Sequence, residues 1–536
     1  MLLDVVVIGA GVGGIYQIKR AVEAGWNALL VEADDDLGGT WYRNRYPGCR
    51  FDSESYTYGY SFSPELLDEW HWKERFSPQP ENLKYLNYVA DKFNLRPHMR
   101  FNTRVKSLAW LADEAVWELD IGQGERLRSR FVVSAMGPLS VPTLPDLPGM
   151  DTFAGRSFHT YHWPKESLNL AGKKVGIIGT GATGIQIIGA IAEEVEALTV
   201  FQRRPNWSSP LNNSPISEAE MRQIRGRYPE IFANCAASPS GFEHMPDRRG
   251  FHNLSPEERR AFWDELYATP GFAILAGNFT EVHMDPQANR ELSEYIADRI
   301  RQRVKDPAVA EQLIPKDHGF GMQRLPLETR YFEAYNHDHV ELVNITTSPI
   351  ECVCAQGVQT AEKLYELDVL IYATGFDAIT GAFEHVDITG RDGQLLKDKW
   401  HNGPQTWYGL MTHGCPNFFM LAGPQSASGA ANFPRGIEVS VDWVSQLIEM
   451  MMGDSELRCV EPELGAQEAW VEEVAQSYAP LLLSKGKGWF VGYNSNLEGR
   501  DGTTNRYPAY QGGGARYAKL LNAATQANYE GLRFGG

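Results

Sequence analysis

Residues 4–35, DVVVIGAGVGGIYQIKRAVEAGWNALLVEADD, pass through three local patterns in turn. The apolar run Val5 to Ile8 reads as a buried strand, a loop with Gly9, Gly11 and Gly14 follows, and a stretch of helical period leads into a second strand ending at Glu32. Each glycine has a mechanical reason. Gly9 permits the tight turn, Gly11 lets the backbone approach a pyrophosphate, and Gly14 lets helix and strand pack closely. The phosphates would then sit at the helix N-terminus, where free N–H groups and the helix dipole favour anions. Glu32 stands where a carboxylate can accept from a ribose 2′-OH, which suits the unphosphorylated adenosine of FAD or NAD.

The same pattern returns in KKVGIIGTGATGIQIIGAIAEEVEALTVFQRRP, with Gly179, Gly181 and Gly184 in the places of Gly9, Gly11 and Gly14. In this register Glu32 aligns with Gln202, and Arg203 and Arg204 follow directly. Guanidinium forks bind phosphate, whereas a carboxylate there would repel it, so this second site is expected to take the 2′-phosphate of NADP. Two nucleotide sites in one chain imply electron transfer between two cofactors, most simply NADPH reducing bound FAD. The strand-to-loop segments DVLIYATGF (368–376) and LAGPQSASG (421–429) suit a chain returning beneath a nucleotide.

Composition sets the surroundings. The 536 residues exceed one ordinary core, and a prior of roughly 150 residues per domain gives about three domains. A formal charge of −18 disfavours nucleic acid or an anionic membrane surface as partner. Cys49, Cys235, Cys352, Cys354, Cys415 and Cys459 are irregularly spaced, which suits free thiols in a reducing, cytoplasmic setting, and no metal site is expected. The N-terminus lacks a basic region and reads as a strand, not a signal peptide. No run approaches the roughly 20 apolar residues of a membrane helix.

The fold class is therefore α/β, with two Rossmann-like dinucleotide-binding domains and a helical insertion. Residues 1–140 and 379–536 are expected to form a discontinuous FAD-binding domain, residues 141–210 and 319–378 an NADP-binding domain, and residues 211–318 the helical insertion. Helix starts in the insertion are marked by Ser217 with Glu220, by Ser255 with Pro256 and Glu258, and by Asp285 as N-cap. The Gly-, Asn- and Asp-rich stretch 494–514 reads as a mobile surface loop.

Between the fingerprints lies FAGRSFHTYHWP (153–164). With the two fingerprints around it, this stretch resembles the signature FxGxxxHxxxW(P/D) of the type I Baeyer–Villiger monooxygenases, matched at Phe153, Gly155, His159, Trp163 and Pro164. GGTWYRNRYPGCRFD matches a second pattern of that family through Gly39, Trp41, Tyr46, Pro47, Gly48 and Asp52, and the resemblance runs along almost the whole chain. The resemblance implies an enzyme in which NADPH reduces FAD, reduced flavin captures O2 as a C4a-peroxide, and the peroxide attacks a ketone to give an ester or lactone. It implies Arg324 as the fixed cation beside the flavin and Asp52 as the carboxylate holding it. It extends the FAD site to Thr40, Trp41, Asp52 and Tyr58, and the NADP site to Thr180, Ala182, Thr183, Gln186, Gln323 and Trp489. Gln323 departs from the family, which often carries Lys there, so phosphate selectivity would rest on Arg203 and Arg204.

The resemblance also recasts FAGRSFHTYHWP. His159 and His162 lack a nearby carboxylate or Cys partner for a metal, and the motif is expected to act as a mechanical linker between the domains. Sulfoxidation is an expected side activity. The rivals are N- or S-oxidising flavin monooxygenases and, of another class, a non-catalytic NADPH- and FAD-binding electron carrier or sensor. A disulfide reductase would need a Cys pair beside the flavin, and only Cys49 lies near. Phe433, Trp443 and Trp489 are candidate pocket walls. The ketone and the choice between monomer and homo-oligomer are left open.

Overall fold

In the strand Leu2–Ile8, residues alternate between two cores: Val5 and Val7 enter one, Val6 and Ile8 the other. A strand buried on both faces must be apolar throughout, which is why the opening run shows no polar alternation. The computed structural model describes residues 2–535, apart from the side chains of residues 429 and 430.

Leu2–Ile8 lies in the middle of an eight-stranded sheet, parallel to Ala28–Val31 on one side and to Arg126–Ser134 on the other. Arg126–Ser134 has two sets of outer partners. Its first half pairs antiparallel with Val116–Asp120, and its last residues pair parallel with Phe418–Met420 from much later in the chain. Asp387–Thr389 joins the far edge against Ser107–Leu111. The helix Val12–Glu23 covers this sheet and is crossed by the helix Phe433–Met452, with Tyr16 Oη donating to Asp442 at 2.6 Å.

A second sheet is wholly parallel, in the order Val340–Asn344, Ala197–Gln202, Lys174–Ile178, Val369–Tyr372, Arg156–His159. Arg156–His159 is the edge strand, so the middle of FAGRSFHTYHWP, expected as a mechanical linker between the domains, is itself paired into the second sheet. Gly155 is required there because a Cβ would overlap the Asp368 carbonyl. Between Gln202 and Leu327 the chain runs through the helices Glu218–Ala237, Pro256–Ala268, Pro286–Arg303 and Pro307–Leu313. At their base Ser209–Pro210 pairs with Leu327–Glu328, and Arg303 ties the last long helix down through the buried Glu328 at 2.6 Å.

The expected helix starts at Ser255 and Asp285 form. Ser255 and Glu258 make the full reciprocal capping box, and Asp285 accepts from Gln287 N at 2.8 Å. At Ser217 only half of the box forms, because the Glu220 carboxylate is drawn to Arg75 at 3.1 Å. Residues 494–514 also differ from expectation: Ala509 and Tyr510 are fully buried and Arg500 is 8% exposed, so the stretch is pinned at several points. Trp443 packs between Trp407 and Tyr529 as a core residue, whereas Phe433 opens its helix half-buried.

Candidate active site

The two glycine loops have almost the same geometry. Gly9 and Gly179 have φ of +106° and +111°, a region closed to most side chains. A Cβ on Gly9 would come 2.6 Å from Ala135 O, and one on Gly179 would overlap Ala373 O. Gly14 and Gly184 leave room for the carbonyls of Gly9 and Gly179. The segments SAMG (134–137) and YATG (372–375) thus play the same part in their two sheets.

Gly11 and Gly181 are the N-caps of the helices Val12–Glu23 and Ala182–Ile191, and neither helix start is capped by a side chain. Gly39, at φ +53°, brings its backbone so close to Gly11 that a Cβ would stand 2.9 Å from the Gly11 Cα. Two bare helix starts, one roofed by glycine backbone, fit the pyrophosphates of FAD and NADP. Glu32, at the end of its strand, accepts from Ala10 N at 2.7 Å and Asp34 N at 2.9 Å, which fixes its carboxylate towards the loop. Burial pushes that carboxyl up, while these N–H groups and Arg43 pull it down.

Thr40 and Trp41 open the short helix Thr40–Arg43. Trp41 Nε1 donates to Tyr58 Oη at 2.9 Å, and Tyr58 stacks on Phe51 with ring centroids 4.1 Å apart. Thr40 is exposed, and the three rings form a rigid wall beside the Gly39 turn. In the second cradle Thr180 Oγ1 donates to Arg204 O at 3.0 Å. Arg203 meets Ser495 Oγ, and Arg204 pairs with Asp317 at 3.2 Å and lies over the Tyr493 ring. The expected phosphate-binding arginines are therefore in touch with the late loop. Gly488, next to Trp489, packs on Gln323, so these two expected NADP residues are also neighbours. Trp489 itself stacks on Phe490 at 4.0 Å.

Asp52 and Arg324 meet: Arg324 Nη2 lies 2.7 Å from Asp52 Oδ2. The carboxylate is 4% exposed and the guanidinium 37%, so the pair is anchored in the protein at its acidic end and open at its basic end. Burial pushes the Asp52 carboxyl up, and the charge of Arg324 opposes this. The loop carrying Asp52 rests on the second cradle. A Cβ on Gly48, at φ +81°, would stand 2.6 Å from Gln186 O, Tyr46 Oη donates to Gln186 Oε1 at 3.0 Å, and Gln186 Nε2 donates to Arg50 O at 3.0 Å. Gln186, expected as an NADP contact, thus gives both ends of its amide to the FAD side. Two positions above Asp52, the buried Glu54 meets His244 of the insertion at 3.1 Å, a contact no local pattern announced.

His159 is 3% exposed. Its Nδ1 accepts from Tyr161 N at 3.1 Å, so Nε2 carries the proton and donates to Gly375 O at 3.0 Å. Burial lowers its pKa to about 4, and the ring is neutral at physiological pH. Trp163 sets its ring edge-on to Phe158 at 4.9 Å, and Phe153 packs beneath the same sheet. The motif lies beside the FAD side as well, where Lys165 pairs with Asp35 at 2.6 Å and Arg43 sits over Tyr161.

Comparison with known proteins agrees with this architecture. Residues 3–212 match the flavin-binding monooxygenase-like family. The 2-oxo-Delta(3)-4,5,5-trimethylcyclopentenylacetyl-CoA monooxygenase of Pseudomonas putida is 44% identical, over 99% of this chain and 98% of its own. A Baeyer–Villiger monooxygenase of Pseudooceanicola batsensis is 36% identical, over 99% of this chain and 96% of its own. The crystal structure of OTEMO in complex with FAD and NADP superposes with a TM-score of 0.95 at 44% identity, covering 99% of each chain. With paired dinucleotide cradles, the Asp52–Arg324 pair and full-length relatives of this kind, the chain belongs to the type I Baeyer–Villiger monooxygenases, flavoenzymes that bind FAD and NADP.

Proposed function

We propose that the enzyme uses NADPH and O2 to insert one oxygen atom beside a ketone carbonyl, giving an ester or lactone. When bound, FAD and NADPH supply the reducing electrons and the activated oxygen. The observation that carries the reading is the Arg324–Asp52 pair, in which a part-exposed arginine side chain rests on a buried carboxylate. Oxygen insertion builds negative charge on oxygen, and a cation that cannot lose its proton, already held in place, stabilises that charge without reorganisation. Asp52 anchors Arg324 from its buried side.

In this reading Glu32 and the Gly9–Gly14 loop hold FAD, with Thr40, Trp41 and Tyr58 around it. Thr180 to Gly184 with Arg203, Arg204, Gln323 and Trp489 hold NADPH. Residues 1–140 with 379–536, residues 141–210 with 319–378, and residues 211–318 are the FAD domain, the NADP domain and the insertion. Partners are a small ketone and O2, without nucleic acid, in the cytoplasm; among the described residues no helix is long and apolar enough to cross a membrane. Sulfoxidation would accompany the main reaction because the protonated form of the same oxidant is an electrophile that accepts a sulfur lone pair.

The test is a panel of cyclic, linear, aryl and CoA-linked ketones, with amines and sulfides beside them, following NADPH oxidation together with ester or lactone. Ketone oxygenation is expected. Oxygenation of amines or sulfides alone would turn the reading to an N- or S-oxidising monooxygenase, and no oxygenated product at all would turn it to an electron carrier. Arg324→Ala should leave flavin reduction within a few-fold and cut ester formation by about 100-fold or more.

A further inference from the structure

Arg324 lies in a stretch without helix or strand of its own, between the helix Pro307–Leu313 and the strand Leu327–Glu328. Its place is set from outside, and most of the holding comes from one helix of the insertion, Pro286–Arg303. Near the start of that helix Asn289, 4% exposed, donates through Nδ2 to Phe320 O at 2.8 Å, and Ser293 Oγ accepts from Phe320 N at 2.9 Å. The fit is close, since a Cβ on Gly319 would overlap Asn289 Oδ1. At the other end Arg303 reaches the buried Glu328 carboxylate through Nη1 at 2.6 Å and Nη2 at 3.2 Å, and Glu333 through Nε at 2.6 Å. Arg324 stands midway between the two ties, four residues after Phe320 and four before Glu328.

At 3.6 residues per turn Asn289, Ser293 and Arg303 fall within about 80° of one another, so a single face of the helix meets the stretch at both ends. The helix axis rises about 21 Å from Asn289 to Arg303, a span that the eight steps from Phe320 to Glu328 can cover. The middle has a tie of its own, Asn206 Nδ2 donating to Arg324 O at 3.3 Å, and Ser209–Pro210 pairs with Leu327–Glu328. The insertion also bears on the other partner. His244 lies 3.1 Å from the buried Glu54, two residues beyond Asp52, and a Cβ on Gly271 would stand 2.7 Å from Glu54 Oε1. Both segments of the Asp52–Arg324 pair are therefore seated against the same insertion.

We propose that Asn289, Ser293 and Arg303 are positioning residues, and that the helix Pro286–Arg303 is a splint that sets the Arg324 guanidinium against Asp52. The splint acts through the backbone: it holds the stretch on either side of Arg324, and Asp52 holds the side chain. A guanidinium fixed by its carboxylate alone could pivot about that contact, whereas one fixed at both levels cannot. Stabilisation of charge that develops during oxygen insertion depends on where the cation already stands, so a small shift of the stretch is costly there. Flavin reduction comes before that charge and does not depend on the splint. The proposal rests on reading Arg324 as the cation of the oxygen-insertion step.

Ser293→Ala and Arg303→Gln test the two ties separately in the FAD-loaded enzyme, with Ser293→Thr as the variant that keeps the hydroxyl. Hydrogen–deuterium exchange over 320–328 should quicken several-fold in Ser293→Ala and in Arg303→Gln, stay near wild type in Ser293→Thr, and be unchanged over 9–14 and 179–184. With a ketone that the wild type oxygenates, the NADPH KM and anaerobic flavin reduction should stay within about threefold, while ester per NADPH falls about tenfold and hydrogen peroxide makes up the difference. Ser293→Thr should restore the yield. Added to Arg324→Ala, neither substitution should change the ester yield further, because the group they position is gone. Unchanged exchange over 320–328, a wild-type ester yield, or a tenfold loss that repeats in the Arg324→Ala background overturns the proposal. Arg303→Gln leaves Glu328 buried without its cation, and if that variant does not fold, Ser293→Ala alone decides. An enzyme that oxygenates no ketone would end the ketone reading, and exchange over 320–328 would then decide the splint by itself.

Discussion

His159 is the residue where charge, packing and family signature meet. Both ring nitrogens are committed to backbone groups, Nδ1 to the Tyr161 N–H and Nε2 to Gly375 O, so protonation of Nδ1 would break a bond in a buried place. Its pKa falls from 6.5 to about 4, chiefly through burial. The unfolded chain takes up a proton near pH 6.5 that the folded chain refuses until about pH 4, so this residue costs stability progressively as pH falls through that window. The cost is about 3 kcal/mol at its low-pH limit. His159→Gln should flatten this part of the pH profile, read as denaturant midpoints between pH 7 and roughly pH 4. A wild-type midpoint that stays level over that range, or an unchanged slope in the variant, would contradict the assignment. At this scale legibility was uneven. Arg203 and Arg204 could be placed by register because the repeat carries Gln202 to the Glu32 position and they follow it directly. Asp52 and Arg324 lie about half the chain apart, with no local pattern in common, and only family resemblance paired them. The Gln186 amide gave no signal, since a glutamine on a helix has no preferred partner until the loop opposite it is known.

Among the elements, the two glycine-rich turns are the clearest link from sequence to geometry. The residues that had to be glycine are glycine for a reason visible in the backbone: positive φ at Gly9 and Gly179, and carbonyl contact at Gly14 and Gly184. Gly184→Ala should force the helix Ala182–Ile191 away from Gly179 O. The expected result is NADPH binding weakened by about tenfold or more with FAD content unchanged, measured by coenzyme titration of the purified flavoprotein. Loss of FAD together with NADPH would mean that the two cradles do not fold independently. Helix starts in the insertion were legible from capping residues, which act within one turn. The half-formed box at Ser217 was not, because Arg75 reaches Glu220 from another part of the fold. The histidine motif was read as a linker for a similar reason: a strand at the edge of a sheet has partners on one side only, and Val369–Tyr372 lies far along the sequence.

Across the whole molecule, the question is how the FAD side and the NADP side stay in register while the coenzyme changes its task. Gly48, Tyr46 and Arg50 place the Asp52 loop against the helix Ala182–Ile191, and Gln186 closes the contact with two hydrogen bonds. Tyr46 is buried and its hydroxyl acidity is suppressed by that burial, so at working pH it stays a donor to Gln186 Oε1. If Gln186 acts through Tyr46, the variants Tyr46→Phe and Gln186→Leu should not add. Each alone should slow flavin reduction and raise peroxide release per NADPH. The double variant should be no worse than Gln186→Leu, with a coupling energy of about 0.5–1.5 kcal/mol, the range of one neutral hydrogen bond. Additive effects that appear mainly as a higher NADPH KM would instead make Gln186 a coenzyme ligand, as the resemblance implied. The distinction is physical: a ligand contact is lost with the coenzyme, whereas this contact joins two protein surfaces and would set the position of Asp52, and so of Arg324, before any coenzyme arrives.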